Sequence, residues 1–251
     1  FQRIKILKDL QRITGIGPRK AEKIYDENKY TLENLIEMDS NNNSGLKKIL
    51  THHQLLGLKY LEDLEKRIPR KEINQINQYL TDLVTKLDPN LNLLICGSYR
   101  RKANDSGDID ILLTHDLLTT QYEIDIFEYK YLCEIKEILT QKKFLVDHLT
   151  INGNTKYMGL CKYKNNPVRR IDIRFIPKNS LGAAMLYFTG SGDFNKNMRS
   201  YALKLGYTIN EYGIYKVKSN DLIETQDEKD IFKILGLEYI EPENRTSEVI
   251  F

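Results

Sequence analysis

Cysteine is scarce in this sequence, and no long apolar run is present. Its 251 residues include three cysteines, Cys96, Cys133 and Cys161, which lie far apart and lack the CxxC spacing of a zinc site. We therefore expect no disulfide and no structural zinc, and we expect a reducing intracellular compartment. No apolar segment approaches the roughly 20 residues of a transmembrane helix, and the first residues do not resemble a signal peptide. We accordingly expect no membrane partner.

Charge is distributed unevenly along the chain, although the formal net charge is only +3. Residues 142–218 contain 14 lysines and arginines against 4 aspartates and glutamates, whereas residues 220–251 contain 3 against 9. This polarity favours a basic surface that faces a polyanion, followed by a region that does not touch it. Ordinary solvated faces would give the same counts.

Three segments with different apolar patterns divide the chain. Residues 1–68 show the spacing of helices, including the stretch Gln54–Ile68. Residues 69–177 combine an amphipathic helix with alternating, strand-like runs. Residues 178–251 begin with two helical segments and a hairpin, and Thr225 and Glu228 have the spacing of a capping box before another helix. The sequence therefore predicts a sheet domain of the α+β or α/β class between two smaller units.

Two aspartates interrupt an apolar strand-like run, "DIDILLT", which begins at Asp108. Asp108 and Asp110 are two residues apart, so on a strand both side chains point to the same face. Such carboxylates repel each other unless a cation neutralises them, and Mg²⁺ is the first candidate because it prefers oxygen ligands. A third carboxylate, Asp172 in "RRIDIRF", shares its face with Arg170 and Arg174. Neighbouring strands could thus hold two divalent ions, although a solvated edge strand would explain the pair equally well.

Groups suited to phosphate binding lie in the same short segment as the first two carboxylates. Gly97 and Ser98 form a turn that can offer a backbone N–H and a hydroxyl, and Arg101 follows with a planar fork of donors. Ser106 and Gly107 allow close approach directly before Asp108. Phosphate donors beside cation ligands indicate nucleotidyl transfer, whose catalysis consists mainly of positioning and charge neutralisation.

Several longer motifs carry a family resemblance. "GSYRRKANDSGDIDILLTH", "RRIDIRFIP" and "YFTGSGDFNKNMRSYALKLGYTINEY" resemble the family X DNA polymerases, as do "GIGPRKAEKIYDE" and "HHQLLGLKYLEDLEKRIPR". The order and spacing are most similar to the polymerase beta branch, from about Leu10 to about Arg245. The resemblance implies an α+β fold: a helical helix-hairpin-helix subdomain (1–68), a nucleotidyltransferase palm with a mixed sheet (69–177), and an α/β nucleotide-selecting subdomain (178–251).

The resemblance also implies roles for individual residues. The two Mg²⁺ ions, which Mn²⁺ can replace, would be bound by Asp108, Asp110 and Asp172. A monovalent cation, Na⁺ or K⁺, would bind the backbone carbonyls of Gln11, Ile13 and Ile16. Nucleotide binding is implied for Arg67, Ser98, Arg101, Ser106, Gly107, Tyr187, Phe188, Gly190 and Asn195. DNA binding is implied for Gly15, Gly17, Arg19, Lys20, Lys156, Arg170, Lys196, Arg199 and Tyr212.

The expected reaction is template-directed transfer of dNMP to a primer 3′ end, with short-gap filling in base excision repair as its setting. The implied partners are primer–template or gapped DNA and dNTP, bound by a monomer that is nuclear in a eukaryote, or in the virion or host cell of a virus. A short connection at "KNNPV" favours the use of a template. Two alternatives stay open: a template-independent or RNA-directed nucleotidyltransferase, and a catalytically silent module that binds DNA ends.

The chain departs from the family pattern in two respects. Gly192 stands where the polymerase beta pattern has aspartate, and Asp193 replaces an apolar residue, so we expect altered nucleotide affinity or fidelity. The family's N-terminal lyase domain has no counterpart before Phe1. We therefore expect a polymerase core, either a truncated piece or a minimal polymerase.

Overall fold

The first part of the chain is a helical unit with its own apolar core. The computed structural model describes residues 2–150 and 156–251. The helices of this unit are α1 (Gln2–Leu10), α2 (Pro18–Asn28), α3 (Leu32–Ser40), α4 (Leu46–Ile49), α5 (His52–Lys59) and α6 (Leu61–Leu64). Thr31 and Thr51 begin α3 and α5, because each hydroxyl accepts a backbone N–H of the first turn. Leu10, Ile13 and Ile24 are buried between these helices.

The helix expected across Gln54–Ile68 is wrong beyond Lys59. Tyr60 leaves the helical conformation, with φ −109° and ψ 19°, and the following α6 has four residues. Apolar residues on both sides of the break contribute to two different cores. Leu61 joins the core of the helical unit, whereas Leu56 belongs to a separate cluster with residues of the central sheet.

The central unit consists of strands and helices that alternate along the chain. They are β1 (Ile68–Pro69), α7 (Arg70–Leu87), β2 (Leu91–Ile95), α8 (Gly97–Arg100), β3 (Asp105–Ser106), β4 (Ile109–His115), α9 (Gln121–Gln141), β5 (Leu145–His148), β6 (Lys156–Cys161) and β7 (Arg169–Phe175). Five strands form one sheet in the order β2-β4-β7-β6-β5. β4 and β7 are parallel and the other neighbours are antiparallel, so the sheet is mixed.

The two faces of this sheet have different environments. Ile109 and Ile111 of β4 and Ile171 and Ile173 of β7 are buried in one core with the apolar residues of α7 and α9. Because side chains alternate along a strand, the residues between these isoleucines point to the opposite face. That face is where Asp110 of β4 must lie.

The last unit packs helices against a small antiparallel sheet. Its elements are α10 (Leu181–Thr189), α11 (Gly192–Lys204), β8 (Tyr207–Asn210), β9 (Gly213–Lys216), β10 (Leu222–Ile223) and α12 (Glu228–Ile234), with the sheet order β10-β9-β8. Phe194, Met198, Ile214 and Phe232 are buried in its core. The predicted α+β class is confirmed. Within the described residues, no helix is both long and apolar enough to cross a membrane.

The capping box predicted for Thr225 and Glu228 is wrong, since α12 begins two residues later. Asp227 is the capping residue and accepts the backbone N–H groups of Lys229 and Asp230, while the Asp230 carboxylate accepts the N–H of Asp227. Glu228 is the first residue of the helix, and its carboxylate is buried instead. The D-x-x-D pattern of Asp227 and Asp230 overlaps the T-x-x-E pattern of Thr225 and Glu228. Spacing alone does not say which of the two caps the helix.

Candidate active site

The site is organised by the parallel pairing of β4 and β7. Their register sets Asp110 directly opposite Asp172, and Asp108 lies just before β4 begins. Along β7 the buried residues alternate with the partly exposed Arg170, Asp172 and Arg174. The sheet therefore presents Asp110 and Asp172 from adjacent strands on one face, whereas Asp108, predicted to lie on the strand, precedes it.

Burial dominates the electrostatics of these carboxylates. Burial first, and then the neighbouring carboxylates of Asp108 and Asp172, together raise the pKa of Asp110 to about 7 against the opposite effect of Arg170 and Arg101. Burial also raises the pKa of Asp172. Since each shift disfavours the ionised form, the face is short of positive charge for its carboxylates.

The donor set suits a hard divalent cation such as Mg²⁺, which prefers carboxylate oxygens. Asp172 Oδ1 is buried and has no hydrogen-bond partner, so one ligand oxygen is available. Its Oδ2 accepts a hydrogen bond from Arg170 Nη2 at 2.9 Å. As arranged in the described part of the chain, no three His, Cys, Asp or Glu side chains lie close enough to share an ion. An ion between β4 and β7 would thus require the three carboxylates to move closer together.

A glycine brings the phosphate-binding turn against the carboxylates. Gly97 has φ +56°, and a Cβ added there would lie 2.5 Å from Asp110 Oδ2. Any other residue at this position would displace the carboxylate or the turn. The next residue, Ser98, donates its hydroxyl to Ser106 Oγ at 2.7 Å. The two segments predicted to bind phosphate are therefore tied to each other.

Arg67 lies beside the same turn although it belongs to the end of the helical unit. Its guanidinium pairs with Asp105 at 2.8 Å, and Nη1 would be 3.1 Å from a Cβ added at Gly107. Both partners of this ion pair are about half exposed. Arg67 is thus close to the Ser106–Gly107 turn, and its charge is accessible from solvent.

A cavity of about 380 Å³ collects many of the predicted nucleotide-binding residues. It is lined by Gly97, Ser98, Arg101, Asp108, Asp110, Tyr187, Phe188, Thr189, Gly190, Gly192, Asn195 and Arg199. Arg101 Nη1 donates to the Thr189 carbonyl at 2.5 Å, so the loop after α8 is fastened to the end of α10. The cavity therefore lies between the central unit and the last unit.

Two consecutive aromatic residues form one wall of this cavity. The rings of Tyr187 and Phe188 meet edge to face with centroids 5.0 Å apart. Arg174 lies over Phe188 at 4.7 Å, and Arg199 lies over Tyr187 at 5.9 Å. Asn195 Nδ2 donates to the Tyr187 carbonyl at 2.6 Å, which fixes the backbone under the wall. Phe188 also packs against a buried apolar cluster, so it serves the core and the cavity together.

The predicted hairpin is built at the turn between α1 and α2. Gly15 has φ +90°, and its carbonyl accepts a hydrogen bond from Gln54 Nε2 at 2.8 Å. Ile13 and Ile16 are buried, and the Ile16 N–H donates to the Ile13 carbonyl at 3.0 Å. Gly15, Gly17 and Arg19 are exposed, whereas Gln11 is half-buried. The hairpin thus presents Gly15, Gly17 and Arg19 to solvent.

The remaining DNA-binding candidates lie in different settings. Lys156, Lys196 and Arg199 are exposed. Lys20 instead donates its ammonium group to the Ile49 carbonyl at 2.5 Å, which turns it inward. Tyr212 lines another cavity, of about 980 Å³, beside β10 and α12. The structure therefore does not bring Tyr212 to the cavity that contains the carboxylates.

Sequence reasoning missed a buried network behind the cavity. Glu228 accepts hydrogen bonds from Arg100 Nη2 at 2.6 Å, Arg245 Nη1 at 3.0 Å and the Tyr239 hydroxyl at 2.6 Å. Burial raises the pKa of Glu228, but these hydrogen bonds and the Arg245 charge outweigh it and lower the pKa to about 2. Arg100 also donates to Thr189 Oγ1 at 2.7 Å. The network joins the central and last units where the cavity lies.

Comparison with known proteins gives consecutive matches along the chain. The model of the fingers domain of DNA polymerase lambda matches residues 8–65. The models of the DNA polymerase beta palm and thumb match residues 67–178 and 184–246. A crystal structure of Leishmania infantum polymerase beta in a ternary P/T complex is 31% identical, with a TM-score of 0.87, over 97% of this chain and 99% of that chain.

Two curated relatives extend the comparison. DNA polymerase lambda of Rattus norvegicus is 32% identical over 96% of this chain and 42% of its own length. DNA polymerase lambda of Arabidopsis thaliana is 29% identical over 97% of this chain and 47% of its own length. The chain therefore spans less than half the length of each of these relatives.

Proposed function

Because the chain belongs to the family X DNA polymerases, as its motifs predicted, we propose that it is a template-directed DNA polymerase. It would transfer dNMP to a primer 3′ end. The observation that carries this proposal is the β4–β7 register, which pairs Asp172 with Asp110, a residue of the cavity wall. Nucleotidyl transfer needs cation ligands and phosphate donors in one small space, and Ser98 and Arg101 line the same cavity.

We assign the triphosphate to the turn at the start of α8. Ser98, Arg101 and the Ser106–Gly107 turn bind its oxygens, and Arg67 adds a charge that solvent reaches. The hydrogen bond between Ser98 and Ser106 supports this assignment, because it fixes the two donor segments relative to each other before the nucleotide binds. Preorganised donors stabilise developing charge more effectively than donors that must first be ordered.

Asp108, Asp110 and Asp172 are the proposed ligands of two Mg²⁺ ions, which Mn²⁺ can replace. Their oxygen chemistry and the unpartnered Asp172 Oδ1 support the assignment. Bound there, the ions would supply charge against the phosphate oxygens and lower the pKa of the attacking primer hydroxyl. Arg170 pairs with Asp172, so it would compete with the ions for this carboxylate and would share it with them when DNA is present.

The aromatic wall is the proposed selector of the sugar. With the sugar against the Tyr187 backbone, held by Asn195, and the Phe188 ring, a 2′-hydroxyl would collide with them, so dNTPs should be preferred over rNTPs. Asn195 and Arg199 lie four residues apart on one face of α11 and both line the cavity. We propose that both contact the base pair that forms there.

Duplex DNA is assigned to the hairpin and to the basic residues of β6, β7 and α11. The exposed glycines Gly15 and Gly17, which allow close approach of the backbone, and the charge of Arg19 suit a phosphodiester. The carbonyls of Gln11, Ile13 and Ile16 are the proposed ligands of Na⁺ or K⁺. Filling of short gaps in base excision repair by a monomer is the proposed setting, in the nucleus of a eukaryote or in the virion or host cell of a virus.

Primer extension on gapped, nicked and blunt DNA tests the proposal, with Asp172→Ala as the informative variant. Extension should require template and a divalent cation and should be lost in Asp172→Ala. Asp116→Ala is the matched control, because Asp116 follows the opposite end of β4 and pairs on the surface with Lys178. Full activity in Asp172→Ala would refute the mechanism. DNA binding without any extension by the unaltered chain would instead favour a silent DNA-end-binding module.

The same assay separates template-directed from template-independent or RNA-directed synthesis. β6 and β7 are joined by residues 162–168, a connection too short to replace a template strand across the cavity. We therefore expect extension to follow the templating base and to stop when the template ends. Untemplated addition of any offered dNTP to a single strand at a comparable rate would overturn this expectation.

A further inference from the structure

The segment Arg245–Phe251 lies along α11 and contacts it at three levels. The Ser191 N–H, at the cap of the helix, donates to the Arg245 carbonyl at 3.3 Å. Six residues further along the helix, Asn197 Nδ2 donates to the Val249 carbonyl at 2.8 Å. The segment therefore follows the helix axis from its first residue.

The third contact is made by an aromatic ring. Phe251 meets the buried Phe194 edge to face with centroids 5.5 Å apart, and it lies 5.9 Å from the Tyr201 ring. Phe251 and Val249 are partly buried against the core of the last unit. The segment thus adds apolar surface to a core that α11 already shares.

The position of these contacts around the helix decides what they do. At about 100° per residue, Phe194, Met198 and Ala202 form the stripe that faces the core. Asn195 and Arg199, which line the nucleotide cavity, lie to one side of this stripe. Asn197 and Tyr201, which contact the segment, lie to the other side. Contacts that flank an apolar stripe add to the packing that opposes rotation of a helix about its axis.

We propose that residues 245–251 are a positioning strap for nucleotide selection. By holding Asn197 and Tyr201, the strap fixes the rotation of α11 and hence the places of Asn195 and Arg199 in the cavity. This inference rests on the proposed function, since it assigns the strap to the base-contacting face of a polymerase. Loosening the strap should weaken discrimination between nucleotides while leaving the hairpin and its DNA contacts unchanged.

Two variants remove single strap contacts, and two others control them. Asn197→Ala removes the hydrogen bond to Val249, and Phe251→Ala removes the ring contacts. Phe251→Leu retains apolar volume, so it should preserve most of the strap's hold on α11. Ile250→Ala lies within the strap but alters a side chain that is 86% exposed, so it is the matched control.

The first readout is hydrogen exchange of the α11 amides, which is independent of catalysis. Asn197→Ala and Phe251→Ala should speed amide exchange in α11 but not in α7. Ile250→Ala should leave the exchange rates of both helices as they are in the unaltered chain. Unchanged exchange in α11 would overturn the strap, whether or not the chain is an active polymerase.

The second readout is single-nucleotide gap filling. Both variants should raise KM for the correct dNTP by roughly three- to tenfold, the range expected for one hydrogen bond, and should raise misinsertion, while DNA affinity, to which the hairpin also contributes, falls by less than KM rises. Faster exchange with an unchanged KM would refute the link to nucleotide selection. An equal loss of DNA affinity would mark a general loss of structure and would also refute it. Inactivity of the unaltered chain under all conditions would instead identify failure of the proposed polymerase function.

Discussion

Two arginine–glutamate pairs of the same geometry differ chiefly in burial, which allows the contribution of burial to be measured. Arg169 donates from Nε and Nη2 to Glu72 at 2.9 and 2.7 Å, with side chains 4% and 8% exposed. Arg12 donates from Nε and Nη2 to Glu65 at 2.7 and 3.0 Å, with side chains 47% and 39% exposed. Both pairs are two-bond forks between the same residue types.

Removing one partner of the buried pair leaves a charge that water cannot reach. Glu72→Ala strands the Arg169 guanidinium, which keeps its bonds to the Lys66 and Arg67 carbonyls at 3.0 and 3.3 Å. We expect a loss of about 3–5 kcal/mol in the free energy of unfolding. Replacing both partners, as in Arg169→Met with Glu72→Leu, should recover much of that loss, because no unpaired charge remains.

Urea unfolding followed by circular dichroism measures the difference. With an m value of ~3 kcal/mol/M, Glu72→Ala should lower the midpoint by ~1–2 M. Glu65→Ala should leave it close to that of the unaltered chain, since solvent screens the exposed pair. Equal shifts for Glu72→Ala and Glu65→Ala would show that burial does not decide the cost. A double variant as unstable as Glu72→Ala would contradict the argument about the stranded charge.

Three further outcomes follow from single contacts. Gly97→Ala places a Cβ against Asp110 Oδ2, so primer extension should fall more than tenfold while the fold is retained; normal extension would contradict this. Gly192→Asp meets no atom within 4 Å of its Cβ, so it should fold normally and change dNTP affinity or misinsertion, and an identical misinsertion spectrum removes the idea. Glu228 has its pKa lowered to about 2, so the unaltered chain should lose stability as the pH falls from about 4.5 towards 2. Glu228→Gln should lack that acid-induced loss, and parallel pH profiles of unfolding would refute it.

Alternation along the strands is what made the carboxylate face predictable. In β7 the partly exposed residues Arg170, Asp172 and Arg174 lie two apart, with buried isoleucines between them. A period of two is a local property, so it survives folding whenever one face of a strand is buried. The pairing partner is not local, and the parallel register that sets Asp110 opposite Asp172 is absent from the pattern of either strand.

Local patterns failed where two partners competed for one segment. Gln54–Ile68 has helical spacing, yet the chain breaks at Tyr60, in a segment whose apolar residues serve two cores. The ion pair of Asp172 with Arg170 could not be predicted from the sequence either. A spacing argument puts Asp172 and Arg170 on one face, but it does not say that they bind each other rather than DNA and a cation.

The same alternation along β7 also predicts a buried charge, that of Arg169. This residue is in phase with Ile171 and Ile173, so the strand pattern requires its side chain to enter the core. An arginine there must find a carboxylate, because an unpaired buried charge is too costly. Glu72 lies four residues before Ile76 on α7 and is in phase with that helix's buried stripe. A charged residue in phase with an apolar face on each of two elements therefore predicts a buried ion pair between them.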